Sequence, residues 1–236
     1  MSAGPASGDV AVIIPARDEA DRIEATVTAA AGLPGVAFVV VVDDGSRDAT
    51  AALARGAGAV VLGHARNRGK GAAMETGAAA VRVVDEREDR DPPRHLLFLD
   101  ADLAGTAALA GPLAEPVRAG AADMTIAVFS TAVKLGGHGL VVGLSGAGIR
   151  RATGWRPAQP LNGQRCLTRA AFEAARPLAH GWGVETGLTI DLLRKGLRVT
   201  EVQVELAHRA TGTGLRAQLH RAHQLADVAR ALAVRP

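Results

Sequence analysis

The chain has no tyrosine, four phenylalanines, two tryptophans and one cysteine among its 236 residues. So few aromatic rings leave little surface on which bases could stack, which argues against a nucleic-acid-binding protein. The single Cys166 excludes an internal disulfide and a cysteine-based zinc cluster, and it fits a reducing compartment. We therefore expect a cytoplasmic protein without a nucleic-acid partner.

Long apolar runs are missing as well. No uninterrupted apolar stretch reaches the roughly 18 to 20 residues that a membrane helix needs, and the N-terminus MSAGPASGD lacks the basic and apolar parts of a signal peptide. The net charge of +3 is small, but the tail from Ala207 to Pro236 is rich in Arg and has Asp227 as its one acidic residue. A solvated Arg-rich helix face is the plainest interpretation of that tail, and peripheral contact with an anionic membrane surface stays open as the alternative.

Short β-branched runs alternate with Ala-rich stretches through the first part of the chain. Four runs are interpreted as strands: VAVII (10–14), FVVVV (38–42), AVVL (59–62) and LLFL (96–99). Continuous apolar strands separated by helix-length segments are typical of a parallel sheet that is covered on both faces. The segments between them predict helices over about 20–31, 48–55 and 70–84, the second after the cap-like Ser46 and Asp48. The sequence therefore predicts an α/β fold with a mostly parallel, Rossmann-like sheet.

The remaining stretches are less regular. The charged DEREDRDPPR (85–94) predicts a surface loop that returns the chain to the sheet. Beyond Phe129 the alternation weakens, and strands and helices resume around Cys166. Because one domain of this length is common, we expect a flexible N-terminus over 1–9 and a single domain over 10–236.

Three polar clusters follow predicted strands: PARDE (15–19), DDGS (43–46) and DAD (100–102). Each alone fits an ordinary turn, since Asp, Gly and Ser favour turns. Ligands of open α/β sheets bind beyond the carboxyl ends of the strands, so three clusters on one rim favour a binding site. The D-x-D pair of Asp100 and Asp102 suits Mg²⁺ or Mn²⁺ held between protein carboxylates and a substrate diphosphate.

A fourth stretch, RNRGKGAA (66–73), places Lys70 and its neighbouring glycines ahead of a predicted helix. Glycines let the backbone approach an anion closely, and both Lys70 and the helix N-terminus favour negative charge. A turn with a solvated Lys is the alternative. The stretch is not a P-loop, because it lacks the G-x-x-x-x-G-K-[ST] pattern.

In this order and at these intervals, IIPARDE, VVDDGSRDAT, NRGKGAA and LFLDADL resemble the donor half of family 2-like glycosyltransferases of the GT-A fold. The resemblance covers about 10–105 and implies a UDP- or GDP-linked sugar donor with Mg²⁺ or Mn²⁺. It implies that Asp44 and Lys70 approach the base and ribose, and that Asp102 holds the metal with support from Asp100. The implied donor-binding residues are Pro15, Ala16, Arg17, Glu19, Asp44, Lys70, Asp100 and Ala101.

The second half, about 106–236, is similar to a narrower group, the glucosyl-3-phosphoglycerate synthases and their relatives. The similarity rests on QPLNGQRCLTR (159–169), GWGVETGLTIDLLRKG (181–196) and VELAHRATG (204–212). It implies that His208 is a further metal ligand and that the catalytic Glu185 faces the acceptor hydroxyl or the sugar. It also implies an acceptor site with Gly137, His138 and Gln164. From the residues alone, a His beside an Arg is more often a surface residue.

One departure concerns the acceptor. In the phosphoglycerate enzymes a Gly-Gly pair is followed by an Arg and, two residues on, a Thr that grip the acceptor's phosphate and carboxylate. Here the pair Gly136 and Gly137 is followed by His138, Gly139 and Leu140. A neutral His and a Leu are poor replacements for a bidentate guanidinium, so an acceptor other than 3-phosphoglycerate is predicted. Polyprenyl-phosphate sugar transferases share the donor motifs, and a lipid phosphate near Arg150, Arg151 and the Arg-rich tail is the candidate by analogy.

The Q-x-x-R-W signature of processive synthases is absent, so transfer of a single sugar is expected. A nucleotidyltransferase of similar fold stays open, although it should carry a G-x-x-T-R-type loop where this chain has PARDE. A catalytically degenerate nucleotide-sugar-binding scaffold also stays open, although intact acidic residues and Lys70 argue against decay. Retention and inversion are both compatible with Glu185 or Asp191 as the acting carboxylate, and a homodimer is left open.

Overall fold

The computed structural model describes residues 8–129, 139–206 and 215–235. Within these residues, seven strands form one sheet. The strands are β1 (Val10–Ala16), β2 (Val36–Asp43), β3 (Val60–Gly63), β4 (His95–Phe98), β5 (Met124–Phe129), β6 (Arg165–Leu167) and β7 (Val199–Val204). The helices are α1 (Ile23–Ala31), α2 (Thr50–Gly56), α3 (Lys70–Arg87), α4 (Glu115–Arg118), α5 (Gly139–Thr153), α6 (Arg169–Ala174), α7 (Val184–Arg194) and α8 (Leu215–Ala233). Most of the N-terminus predicted to be flexible lies outside the described residues.

The strand order is β3-β2-β1-β4-β6-β5-β7. β1 pairs in parallel with β2 and β4, β2 with β3, and β5 with β7. β6 alone runs antiparallel to both of its neighbours, β4 and β5, within the described residues. The mostly parallel sheet predicted from the apolar runs is confirmed, and the reversed strand brings the start of β6 to the edge where β4 ends.

Both faces of the sheet are buried, as the continuous apolar strands predict. Val10, Val12 and Ile14 belong to the core on one face, whereas Ala11 and Ile13 belong to the core on the other. Successive side chains of a strand point to opposite faces, so a strand that is buried twice needs apolar residues at every position.

The four predicted strands and three predicted helices of the first part are present, with shifted ends. α1 begins at Ile23, α2 at Thr50, and α3 continues to Arg87. The capping role predicted for Ser46 is wrong, because the Ser46 hydroxyl accepts a hydrogen bond from Asp18 N at 2.9 Å. Asp48 lies nearer the helix and accepts from Thr50 N at 3.0 Å, while the residue at the N-cap position is Ala49.

The surface loop predicted over 85–94 is wrong in part. α3 extends into it, and Asp85 and Arg94 are buried, 4% and 2% exposed. Arg94 Nη1 lies 2.6 Å from Asp85 Oδ1, and Arg169 Nη2 approaches Asp85 Oδ2 at 3.3 Å. The sequence predicted that these charged residues are exposed to solvent. Instead, Asp85 of α3 forms buried ion pairs with the two arginines, and such pairing makes buried charges tolerable.

The Gly-rich stretch beyond Phe129 forms helix α5 from residue 139 onwards. One of its glycines has a packing role, since a β-carbon at Gly148 would overlap the side chain of Leu232 on α8. The absence of a side chain there lets the two helices approach closely, which offsets the cost of Gly in a helix interior. Among the described residues, no helix is both long and apolar enough to cross a bilayer.

Candidate active site

The loops after β1 and β2 are hydrogen-bonded to each other at the carboxyl edge of the sheet. Asp18, which has a φ of 54°, donates its N–H to Ser46 and accepts from Arg47 N at 2.8 Å. Glu19 N donates to Thr50 Oγ1 at 2.8 Å. PARDE and DDGS therefore form one continuous rim, on which Arg17 is exposed and Pro15 is half-buried.

Asp44 fixes the loop that precedes Lys70. Its side chain is 8% exposed, and its two oxygens accept hydrogen bonds from Arg68 N and Gly69 N, both at 2.8 Å. His64 Nδ1 lies 2.6 Å from Asp44 Oδ1. The carboxylate that the resemblance assigns to the base and ribose thus also shapes the neighbouring loop, a role that its place in DDGS did not predict.

Lys70 joins two carboxylates from opposite halves of the chain. Its Nζ lies 2.7 Å from Asp100 Oδ1, after β4, and 2.9 Å from Glu185 Oε1, in the first turn of α7. Burial alone would lower the pKa of Lys70, but the charges of Asp100 and Glu185 outweigh it and raise the pKa above its usual range. The solvated Lys considered from the sequence is therefore wrong, and Lys70 is charged at neutral pH.

Gln164 completes the cluster from the start of β6. The residue is fully buried, and its Nε2 donates to Asp100 Oδ2 at 2.7 Å. Its neighbour Gly163 lies directly against the ion pair, since a β-carbon there would overlap Lys70 Nζ and lie 2.9 Å from Asp100 Oδ1. We refer to Lys70, Asp100, Gln164 and Glu185 as the charge cluster.

The DAD turn is held from α1. The buried Thr26 donates to the carbonyl of Ala101 at 2.8 Å and accepts from Ala104 N at 2.8 Å, and Arg22 Nη1 donates to the carbonyl of Asp102 at 3.2 Å. Asp102 is half-buried and lies two residues after Asp100 of the charge cluster. Thr26 was missed because a Thr within an Ala-rich helix carries no signal of a distant contact.

The two carboxylates of the DAD turn suit a hard divalent cation, which prefers oxygen ligands. Both oxygens of Asp100 contact other side chains, those of Lys70 and Gln164. In the described part of the chain, no three His, Cys, Asp or Glu side chains are grouped to hold an ion. His208, the predicted further ligand, lies outside the described residues, as do Gly137 and His138.

A buried arginine contacts the backbone of the charge cluster and was not predicted from the sequence. Arg165 is 1% exposed and donates to the carbonyls of Pro160, Asn162 and Glu185, at 3.1, 2.8 and 3.1 Å. Burial lowers its pKa to about 10, although the nearby Glu185 carboxylate opposes that change. An Arg inside an apolar strand, between Gln164 and Cys166, was the signal that could have found it.

Comparison with known proteins places this chain in a family. The model of the family described as "Glycosyl transferase family 2" matches residues 11–140. The glycosyltransferase AglJ of Haloferax volcanii is 28% identical over 214 residues, which cover 89% of this chain and 66% of the relative. The chain thus spans just under two thirds of that relative's length.

Solved structures of glucosyl-3-phosphoglycerate synthase from Mycobacterium tuberculosis have the same fold. A complex with phosphoglyceric acid matches with a TM-score of 0.76 at 25% identity, covering 97% of this chain and 80% of that one. A complex of the same enzyme with Mn²⁺, UDP-glucose and phosphoglyceric acid matches with a TM-score of 0.71 at 25% identity, covering 96% and 80%. The family match spans more than half of the chain and includes PARDE, DDGS, Lys70 and DAD, so the protein belongs to glycosyl transferase family 2 and has the GT-A fold.

Proposed function

We propose that the protein transfers a single sugar from a nucleoside-diphosphate sugar to a small or lipid-linked anionic acceptor, with a divalent ion at the diphosphate. The observation that carries the proposal is the charge balance at Lys70. Its ammonium is shared between Asp100 and Glu185, at 2.7 and 2.9 Å. A diphosphate at this edge of the sheet would meet more negative than positive charge within the cluster, and an added cation would offset it.

Asp102 is the residue proposed to hold that cation, together with His208. A bound Mg²⁺ or Mn²⁺ would supply the positive charge that stabilises a departing nucleoside diphosphate. The complex of the mycobacterial relative with Mn²⁺ and UDP-glucose supports this choice of ion and donor class.

The protein's own residues prepare the donor side before any substrate arrives. Asp44 fixes the backbone ahead of Lys70 through Arg68 N and Gly69 N. Lys70 holds the carboxylates of Asp100 and Glu185 in place through its two ion pairs. Preorganised polar groups cost no rearrangement at the moment of reaction, which is how such a site lowers a barrier.

Glu185 is proposed to act on the sugar or on the acceptor hydroxyl. Its side chain is 6% exposed and ion-paired with Lys70, so it is fixed in position. A carboxylate that is already held in one position accepts a hydrogen bond from a hydroxyl without rearranging. We therefore propose that Glu185 orients a hydroxyl, while Gln164 fixes Asp100 through its own hydrogen bond.

The acceptor is proposed to be anionic but different from 3-phosphoglycerate. Phosphoglyceric acid is bound by the mycobacterial relative. At the positions where the phosphoglycerate enzymes have an Arg and a Thr, this chain has His138 and Leu140. Leu140 is 83% exposed in the first turn of α5. Arg150 and Arg151 are exposed near the other end of α5, which favours an acceptor or surface that carries phosphate.

A ligand panel tests the proposal. UDP-, GDP- and ADP-sugars are screened by thermal shift with and without Mn²⁺, because a ligand that binds only the folded state raises its melting temperature. At least one nucleotide-sugar is expected to raise Tm only when Mn²⁺ is present, and mass spectrometry should then detect sugar on an added acceptor. A panel in which no nucleotide-sugar stabilises the protein would contradict the proposed donor class.

A further inference from the structure

We propose that Asp227, on the C-terminal helix α8, is a positioning residue for the Lys70–Glu185 ion pair. The inference rests on the proposed function for its kinetic consequence, but not for its structural one. Asp227 does not belong to the charge cluster. It acts on the short 3-10 turn Gly181–Gly183, which leads directly into α7 and Glu185.

α8 lies directly on that turn. Asp227 Oδ2 accepts a hydrogen bond from Trp182 N at 3.2 Å. A β-carbon at Gly181, whose φ is 57°, would overlap the same carboxylate, and a β-carbon at Gly183 would lie 2.7 Å from the Asp227 carbonyl oxygen. The two glycines therefore let helix and turn meet without an intervening side chain.

The same segment also meets the start of α3. A β-carbon at Gly69 would lie 3.8 Å from Gly181 N, and one at Gly71 would lie 2.7 Å from the carbonyl oxygen of Ala179. Lys70 stands between these two glycines. The turn and the residue before it are thus in contact both with α8 and with the residues that flank Lys70.

This packing connects Asp227 to the distance between Lys70 and Glu185. Lys70 is the first residue of α3, and Glu185 lies in the first turn of α7, two residues after the glycine turn. A shift of the turn away from α3 would lengthen the 2.9 Å ion pair. The carboxylate also accepts from the N–H of Trp182, close to the start of α7, where negative charge is favoured.

Asp227 has a second partner that provides a matched control. Its Oδ1 lies 3.0 Å from Arg230 Nη1, and the Arg230 side chain is 71% exposed. Replacing Arg230 removes this ion pair while leaving the bond to Trp182 N in place. A surface ion pair of this kind contributes little to stability.

Trp182 fluorescence tests the structural step without metal or donor. Trp155 and Trp182 are the two tryptophans, so Trp155→Phe leaves Trp182 as the only indole. In this background Asp227→Ala should lower the fluorescence anisotropy of Trp182 and raise its quenching by acrylamide, whereas Asp227→Asn, which keeps an acceptor oxygen, and Arg230→Ala should leave both unchanged. Unchanged anisotropy and quenching in Asp227→Ala would overturn the proposal.

Kinetics test the second step in the same variants without the Trp155 substitution. Asp227→Ala should lower kcat by roughly tenfold with a smaller change in the donor KM, because misplacing a catalytic group by about an ångström is costly to rate. Asp227→Asn should recover most of the activity at an equal melting temperature. If wild type transferred no sugar, the proposed function would fail, but the fluorescence comparison would still test the contact between Asp227 and the turn. An equal loss of sugar-transfer activity in Asp227→Ala and Arg230→Ala would refute the positioning role.

Discussion

The side-chain amide of Gln164 donates a hydrogen bond to Asp100 Oδ2 at 2.7 Å. Gln164 immediately precedes β6, and Asp100 follows the neighbouring strand β4. The contact exists because β6 runs against β4, with Arg165 opposite Phe98. A parallel β6 would place its first residues at the other edge of the sheet. Strand direction therefore decides which residue fixes the first carboxylate of the D-x-D pair.

Replacing Lys70 by Met should destabilise the fold by about 3 kcal/mol at neutral pH, because it leaves two carboxylates together without their cation. The pKa of Lys70 is raised, so the stabilising contribution of its charge is fully present at neutral pH and is lost as pH rises through the raised value. Urea unfolding at pH 7 measures the loss. Arg82→Met, which breaks an exposed ion pair with Glu86, is the control and should cost less than about 1 kcal/mol.

Asp102→Asn should abolish the Mn²⁺-dependent part of nucleotide-sugar binding, since an amide oxygen is a weaker ligand for a hard cation than a carboxylate. Isothermal titration calorimetry with and without Mn²⁺ measures the Mn²⁺-dependent part of the binding. His208→Ala should weaken the same part. Glu86→Gln removes an exposed carboxylate from α3 and should bind as wild type does; retention of full Mn²⁺-dependent binding in Asp102→Asn would show that the metal assignment is wrong.

Gly163→Ala and Gly143→Ala should have opposite effects. The added methyl at Gly163 would overlap Lys70 Nζ, whereas at Gly143, within α5, no described atom beyond the helix's own backbone lies within 4 Å of the added carbon. Gly143→Ala should stabilise the protein by about 0.5 to 1 kcal/mol, as Ala does in an open helical position. Gly163→Ala should lower both stability and sugar transfer, as measured by urea unfolding and turnover, and an unchanged Gly163→Ala would contradict the close approach.

Acid should destabilise the protein partly through His95. Burial lowers the pKa of His95 below 6.5, with Asp9 opposing and Arg118 adding to the decrease. The unfolded chain therefore takes up the proton first, so the contribution of His95 to stability is lost as pH falls below 6.5. In urea unfolding at pH 7, 6 and 5, the stability of His95→Gln relative to wild type should rise as pH falls, and a constant difference would exclude this contribution.

The acceptor prediction concerns His138 and Leu140. Losing two polar contacts to a phosphate or carboxylate, at about 1.5 to 3 kcal/mol for each charged hydrogen bond, should reduce turnover of 3-phosphoglycerate by at least about a hundredfold. Mass spectrometry with the preferred donor compares 3-phosphoglycerate with a short polyprenyl phosphate. His138→Arg combined with Leu140→Thr should gain activity on 3-phosphoglycerate, and efficient turnover of that acceptor by wild type would refute the argument.

The sequence predicts the first half of the fold well because its signals are local. Apolar runs identify β1 to β4, and the helices between them follow from spacing and composition. The same local signals say nothing about the direction of β6, which has three residues, or about the pairing of Asp85 with Arg94 beneath α3. The direction of β6 depends on which distant segments meet, whereas Asp85 and Arg94, which are close in the chain, pair because of how the chain turns back after α3.

For the site, residue types were predictable but their partners were not. The motifs point to Lys70, Asp100 and Glu185, and the structure brings these three together. The bonds of Asp44 to Arg68 N and Gly69 N involve backbone groups, which have no sequence signature. The ion-paired state of Lys70 likewise follows from contacts between residues 30 and more positions apart.

The strand order has a consequence for synthesis on the ribosome. β3, β2, β1 and β4 pair only with one another until β6 is made, so this half of the sheet can form early. β5 has no strand partner of its own until then, because its neighbours β6 and β7 both come later in the chain. A growing chain that stalls after β5 would therefore expose an unpaired apolar strand, and the nascent protein needs protection from aggregation during that interval.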